Sequence, residues 1–126
     1  MRASGLTFDT GMLIALERRN QRAWNVYREA RARKVPITVP TSVIAEWWRG
    51  RTDVREHVLS GALSEVLSES MARSAGEALA NVGDASVVDA IVVASAASRG
   101  DVVYTSDVED LEKLRAHFPG VRVLGV

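Results

Sequence analysis

Residues 87–98 are almost all small or apolar and hold a single acid, Asp89. The segment ends at Arg99-Gly100, and glycine suits a helix C-terminus. It therefore reads as a helix too apolar to face water on any side. A helix buried all round needs packing partners on several sides, and the rest of the chain offers them. Short apolar runs without polar alternation recur at 5–9, 35–40, 63–67, 101–105 and 121–126. Helical stretches separate them at 12–17, 21–34, 41–50, 53–59, 69–82 and 106–118. In two of these the inward residues are legible: Trp24, Val26, Tyr27 and Ala30, then Met71, Ala75, Ala78 and Leu79. Thr10-Gly11 reads as a turn, and Thr41 or Ser42 as a helix cap. Strands apolar on both faces, alternating with helices, predict an α/β fold with a parallel sheet covered on both sides. Right-handed crossovers are expected to connect the strands.

The 126 residues are 47% apolar, near the common size for one domain, with no repeat, linker or low-complexity tract. One domain over 1–126 is expected. With no cysteine, disulfides, thiolate chemistry and Cys-ligated zinc are excluded. His57 and His117 alone supply a histidine metal site or a Ser-His-Asp triad poorly. No apolar run approaches the roughly 20 residues of a membrane span. Asp9 interrupts the N-terminal stretch where a secretory leader needs its apolar run. A soluble, cytoplasmic protein without a membrane partner is the expectation.

The charges sum to zero, but they are segregated. Ten basic residues face three acidic ones between Arg18 and Arg55, whereas five face eleven from Glu56 onward. Zero net charge argues against binding nucleic acid by bulk positive charge. The basic segment is nearly all arginine, whose planar fork suits phosphate oxygens. Arg49 and Arg51, then Arg18, Arg19 and Arg22, are the candidate phosphate contacts. Solvated helix faces are the plainer role for the same residues.

In an open parallel sheet, ligands bind outside the carboxyl ends of the strands. Asp9 ends the first predicted strand, and Thr105-Ser106-Asp107 ends the fourth. Asp89 lies in the buried helix, and Glu46 is the one acid of the 41–50 helix. Each also has a local role open to it. Asp9 can cap the next helix. Ser106 with Glu109, and Ser86 with Asp89, fit capping boxes. Glu46 can pair with Arg49. Four carboxylates at one end of one sheet repel each other unless a cation joins them. An oxygen-only donor set points to Mg²⁺ or Mn²⁺ rather than zinc. Two such ions would offset four carboxylates and suit phosphodiester hydrolysis.

Leu6-Thr-Phe-Asp9-Thr10, Ile44-Ala-Glu46-Trp-Trp-Arg-Gly50, Val88-Asp89-Ala90 and Thr105-Ser-Asp107-Val-Glu-Asp110-Leu together resemble the PIN-domain ribonucleases. The nearest subset is the VapC-type toxins of bacterial toxin–antitoxin pairs. The resemblance runs the length of the chain in order and spacing. It implies a three-layer α/β/α sandwich with a short parallel sheet of order 3-2-1-4-5. It implies endonucleolytic cleavage of RNA with one or two Mg²⁺ or Mn²⁺ ions. It assigns Asp9, Glu46, Asp89 and Asp107 as metal-binding and catalytic, with Asp110 as an alternative acid for a second ion. Thr10 and either Thr105 or Ser106 would hydrogen-bond the carboxylates. It implies a small VapB-like antitoxin, an RNA substrate and a homodimer.

Cleavage of this kind leaves a 5′-phosphate and a 3′-hydroxyl. Metal-free ribonucleases instead use the 2′-hydroxyl with a His-type base, for which this chain is poorly supplied. A receiver domain would need an acidic pair after the first strand and a late lysine, yet Thr10-Gly11 follows Asp9 and no lysine follows Lys113. A dehalogenase-type phosphatase needs Asp-x-Asp, and Gly11 stands in the second place. A catalytically inactive PIN-like module that binds RNA or protein is the remaining alternative. Of Trp47 and Trp48, about 100° apart on a helix, one is expected in the core and the other at a partner groove or stacking platform.

Overall fold

The computed structural model describes residues 4–126, so Met1–Ala3 of the N-terminal stretch lie outside the described residues. Five strands form one all-parallel sheet in the order β3-β2-β1-β4-β5. They are β1 (Leu6–Phe8), β2 (Ile37–Pro40), β3 (Leu63–Glu65), β4 (Val102–Thr105) and β5 (Arg122–Gly125). Seven helices connect them: α1 (Thr10–Glu17), α2 (Gln21–Ala32), α3 (Thr41–Trp47), α4 (Asp53–Ser60), α5 (Glu69–Val82), α6 (Val87–Arg99) and α7 (Val108–Glu112). A 3₁₀ turn follows at Lys113–Ala116.

The strand period of two assigns the layers. On β1, Phe8 lies with its ring 6.5 Å from that of Tyr27 on α2. Its neighbour Thr7 points the other way, to Arg99 and Ser95-bearing α6, accepting from the Arg99 guanidinium at 2.9 Å. The apolar helix is central, as its composition predicts. Ala90 to Ala96 of α6 are all buried, and the helix packs on β1, β2, β4, α3 and α5. Only its ends emerge, with Val87 exposed. Gly100 closes α6 in the left-handed conformation at φ +73°, where a side chain is strained. No single helix is long and apolar enough to cross a membrane among the described residues.

Several local expectations are corrected. Thr10-Gly11 is the first turn of α1, which Asp9 caps. Helix α3 starts directly from Pro40 without a side-chain cap and stops at Trp47, three residues before Gly50. Ser42 is therefore no cap, and its hydroxyl is buried without a partner. The helix expected over 106–118 is split into α7 and the 3₁₀ turn, and its cap is Asp107 rather than Ser106. The third strand is shorter than expected; Leu63, Val66 and Leu67 are exposed at the sheet edge.

An ion-pair cluster joins several elements across one face of the sheet. Arg99 donates from Nε to Asp101 and from its terminal nitrogens to Glu65, Thr7 and Ser95. Thr7 donates to Asp101 at 2.9 Å and Ser95 to Glu65 at 2.6 Å. The buried acid Asp101 is thus matched, as a buried charge must be. This cluster ties β1, β3, α6 and the start of β4 together, away from the ends where β1 and β4 deliver Asp9 and Thr105.

A carboxylate cluster at the carboxyl ends of the strands

Asp9 follows β1 directly and is the only acid of the cluster that is fully buried, at 6% exposure. Its Oδ1 accepts from the Met12 amide at 2.8 Å, capping α1. Its Oδ2 accepts from the Thr105 hydroxyl at 2.6 Å. Thr105, the last residue of β4, also accepts from the Asp107 amide at 2.9 Å. One hydroxyl therefore joins β1 to the loop that carries Asp107. Asp107 in turn caps α7, accepting from the Asp110 amide at 3.5 Å.

Glu46 is exposed on α3 and accepts from Thr10 at 2.5 Å. Asp89 stands half-buried in the first turn of α6, its amide held by Ser86 at 3.0 Å. Asp107 and Asp110 are exposed. Ser106 makes no comparable bond to a carboxylate; its Oγ lies against Gly11, within 2.4 Å of where a Cβ would stand.

The electrostatics show that these acids share one region. Burial raises Asp9 from 3.8 to about 6; hydrogen bonds from Thr105 and Met12 oppose the rise, and the charges of Asp89 and Asp107 add to it. Burial also raises Asp89, and Asp110, Glu46 and Asp107 contribute in the same direction. Asp110 is raised by its hydrogen bond and charge interaction with Asp107. All five acids thus influence at least one other. They are spaced by hydroxyls rather than closed on a point: among the described residues, no group of three such side chains stands in metal-holding geometry.

Gly11 lies between the acid motifs and carries none of their donors. A helix's first turn gains nothing from glycine, so glycine there signals a close approach, and Ser106 is what approaches. The arginines are less unified. Arg49 caps α3 by donating to the Trp48 and Ala45 carbonyls. Arg18, Arg19, Arg22 and Arg51 are exposed. Trp47 is the core tryptophan, its indole nitrogen buried without a partner, while Trp48 is half-buried against it.

No family model and no curated protein matches the sequence. Solved structures do match the fold. A chain of VapBC2 from Rickettsia felis, bound to a DNA fragment from their promoter, superposes with TM-score 0.75 over 96% of this chain and 98% of that one. Its identity is 13%. The fold is PIN-like. DNA-bound VapBC from Salmonella typhimurium shares this PIN-like arrangement at TM-score 0.72, with 17% identity and 98% of each chain covered. A toxin–antitoxin complex from Klebsiella pneumoniae matches at 0.70, with 22% identity over 94% of this chain and 95% of that one. At these identities the likeness is one of PIN-like fold.

Proposed function

We propose that the chain is a divalent-metal-dependent endoribonuclease, acting in the cytoplasm as the toxin of a toxin–antitoxin pair. The observation that carries this reading is that acids from four separate segments, buried Asp9 among them, lie close enough to perturb one another's ionisation. They stand where an open parallel sheet presents its ligands. The PIN-like neighbours are VapBC and toxin–antitoxin complexes, which supports the partner: a small VapB-like antitoxin. A homodimer belongs to the same reading.

The donor set fits a hard divalent cation in kind. It is all oxygen, it is anionic, and burial leaves Asp9 reluctant to ionise without a compensating charge. Asp9, Glu46, Asp89 and Asp107 would hold Mg²⁺ or Mn²⁺, with Asp110 available to a second ion. When bound, the cation supplies charge neutralisation at the scissile phosphate and activation of water for hydrolysis. The chain's own residues do the rest. Thr105 and the Met12 amide hold Asp9 in one orientation. Thr10, the residue after Asp9, donates to Glu46. Glu46, Asp107 and Asp110 are exposed, and closing on a cation would draw Glu46 from Thr10 and Asp107 from its cap. Arg49 and Arg51, with Arg18, Arg19 and Arg22, would meet flanking phosphates.

The test is cleavage of RNA by the purified protein with Mg²⁺, Mn²⁺ or EDTA, beside Asp89→Asn. Metal-dependent cuts with 5′-phosphate ends, lost in Asp89→Asn, are expected. Cleavage undiminished in EDTA or in Asp89→Asn overturns the metal reading. RNA binding without cleavage under any metal would favour the inactive binding module.

A further inference from the structure

A second feature lies at the far end of α1. There the chain turns from α1 into α2 through Arg18, Arg19 and Asn20. The turn is fully committed: the Asn20 amide bonds Ala15 O at 2.9 Å and the Arg19 amide bonds Leu16 O at 3.1 Å. Asn20 Oδ1 then caps α2 through the Ala23 amide. This is the paired bonding that usually places glycine at the turning residue. Here the residue is Arg19, held at φ +61°. Lys34 closes α2 in the same way at φ +57°, so what sets Arg19 apart is its surroundings.

Arg19 borders an open cleft of about 380 Å³, lined also by Gln21, Trp24, Arg28 and Val54. The Trp24 ring is locked from several sides. Its Nε1 donates to Leu16 O at 2.9 Å, and its ring stands edge-on to Tyr27 at 5.4 Å. The Arg28 guanidinium lies 5.6 Å over that ring. Among the described residues, neither Arg19 nor Arg28 has a carboxylate partner, whereas nearby Arg55 is occupied by Glu17. The cleft therefore combines two guanidinium groups without carboxylate partners, that of Arg28 stacked on Trp24, with an aromatic ring that His57 also flanks at 6.0 Å. Phosphate takes the forks, and a planar unpaired base takes the stack. An acidic peptide would use the charge but leave the stack idle.

We propose that this cleft binds single-stranded RNA, with Arg19 and Arg28 on phosphates and a base against the Trp24–Arg28 stack. The proposal rests on the ribonuclease reading and adds to it an anchoring site separate from the carboxylates. Helix α1 spans the gap from Thr10 to Glu17, about 12 Å at the usual rise. RNA held in the cleft would run along α1 toward Asp9.

The test uses Asp89→Asn protein as the non-cleaving reference and adds Arg19→Gly with Arg28→Gln. Anisotropy of a fluorescein-labelled single-stranded RNA is read across salt concentrations. Affinity should fall about tenfold, and the salt slope should become shallower by about 1.4, the share of two phosphates on a single strand. Arg19→Gly alone should keep or raise the melting temperature, because it relieves the turn while removing the fork. Unchanged affinity and slope overturn the cleft as an RNA site. If those same substitutions abolish binding of an acidic peptide and spare RNA, the cleft belongs to a protein partner and the proposal falls. If wild type cuts RNA while the cleft variants bind normally, only the anchoring site falls; if the reference binds no RNA, the ribonuclease reading falls with it.

Discussion

The Thr105 hydroxyl donates to Asp9 Oδ2 at 2.6 Å while accepting from the Asp107 amide at 2.9 Å. One atom thus serves as a spacer between the two acids that end β1 and follow β4. Thr105→Val preserves shape and removes both bonds. It leaves a buried carboxylate oxygen and an amide unpaired, which costs about 1–3 kcal/mol. Urea denaturation should show a loss in that range, and RNA cleavage by the folded fraction should fall at least about tenfold, since 1.4 kcal/mol of misplacement suffices. Ser in place of Thr105 should recover most of the activity.

Asp9 also makes stability depend on pH. Its folded pKa is about 6 against 3.8 for the ordinary side chain. The raised value means the native state holds the proton more tightly. The stabilising contribution is fully present below about pH 4 and is lost as pH rises through about 6, an effect of about 3 kcal/mol. Asp89 is raised too and acts in the same direction. Metal-free protein should therefore lose denaturation midpoint between about pH 4 and about pH 7. Asp9→Asn should flatten that decline, because asparagine still caps α1. Added Mg²⁺ or Mn²⁺ should restore stability at neutral pH in the wild type and not in Asp9→Asn.

Gly11→Ala should be stabilising on helix propensity alone, by about 1 kcal/mol. The structure reverses that expectation, since the new methyl would meet Ser106 Oγ at 2.4 Å and its amide nitrogen at 3.2 Å. Ser106 must turn its hydroxyl away and its backbone must give by a few tenths of an ångström, which moves the loop that carries Asp107. Cleavage should drop sharply with little change in circular dichroism. Pairing Gly11→Ala with Ser106→Gly should return much of the activity, and a failure to do so would show that Ser106 is not the obstacle.

The fold was legible because α6 is apolar on all sides and the strands lack alternation; both features demand layers. The four acids were legible because each ends a strand or interrupts an apolar helix. Local caps were less so. Ser106-x-x-Glu109 and Asp107-x-x-Asp110 fit the same capping pattern, and Thr105 decides between them by holding the Asp107 amide. The same hydroxyl is fixed in turn by Asp9, across from β4 to the end of β1, beyond any short-range pattern. Arg99, Glu65 and Asp101 were simply charges in a count, since nothing local says that Glu65, distant in sequence, will join the neighbouring Arg99 and Asp101 in one cluster.

Arg99→Leu tests that cluster. It strands Glu65 and the buried Asp101 without their cation. Breaking one side of such a pair costs about 3–5 kcal/mol, so the thermal midpoint should drop severely. Arg99→Lys should rescue little, because one ammonium cannot reach Asp101, Glu65, Thr7 and Ser95 together. Calorimetry of both variants reads this directly, and equal stability of Arg99→Lys and wild type would contradict it.

The same cluster bears on how the free chain behaves in crowded surroundings. β3 is the open border of the sheet, only three residues long, with Leu63 and Val66 exposed beside it. An unpaired strand of this kind invites a neighbour to dock and continue the ladder. Glu65, secured by Arg99, sets a carboxylate at the end of that border. An incoming strand would have to bury it. What reads as a structural ion pair is therefore also a guard against runaway self-association, and a chain that loses it should precipitate before it loses its helices.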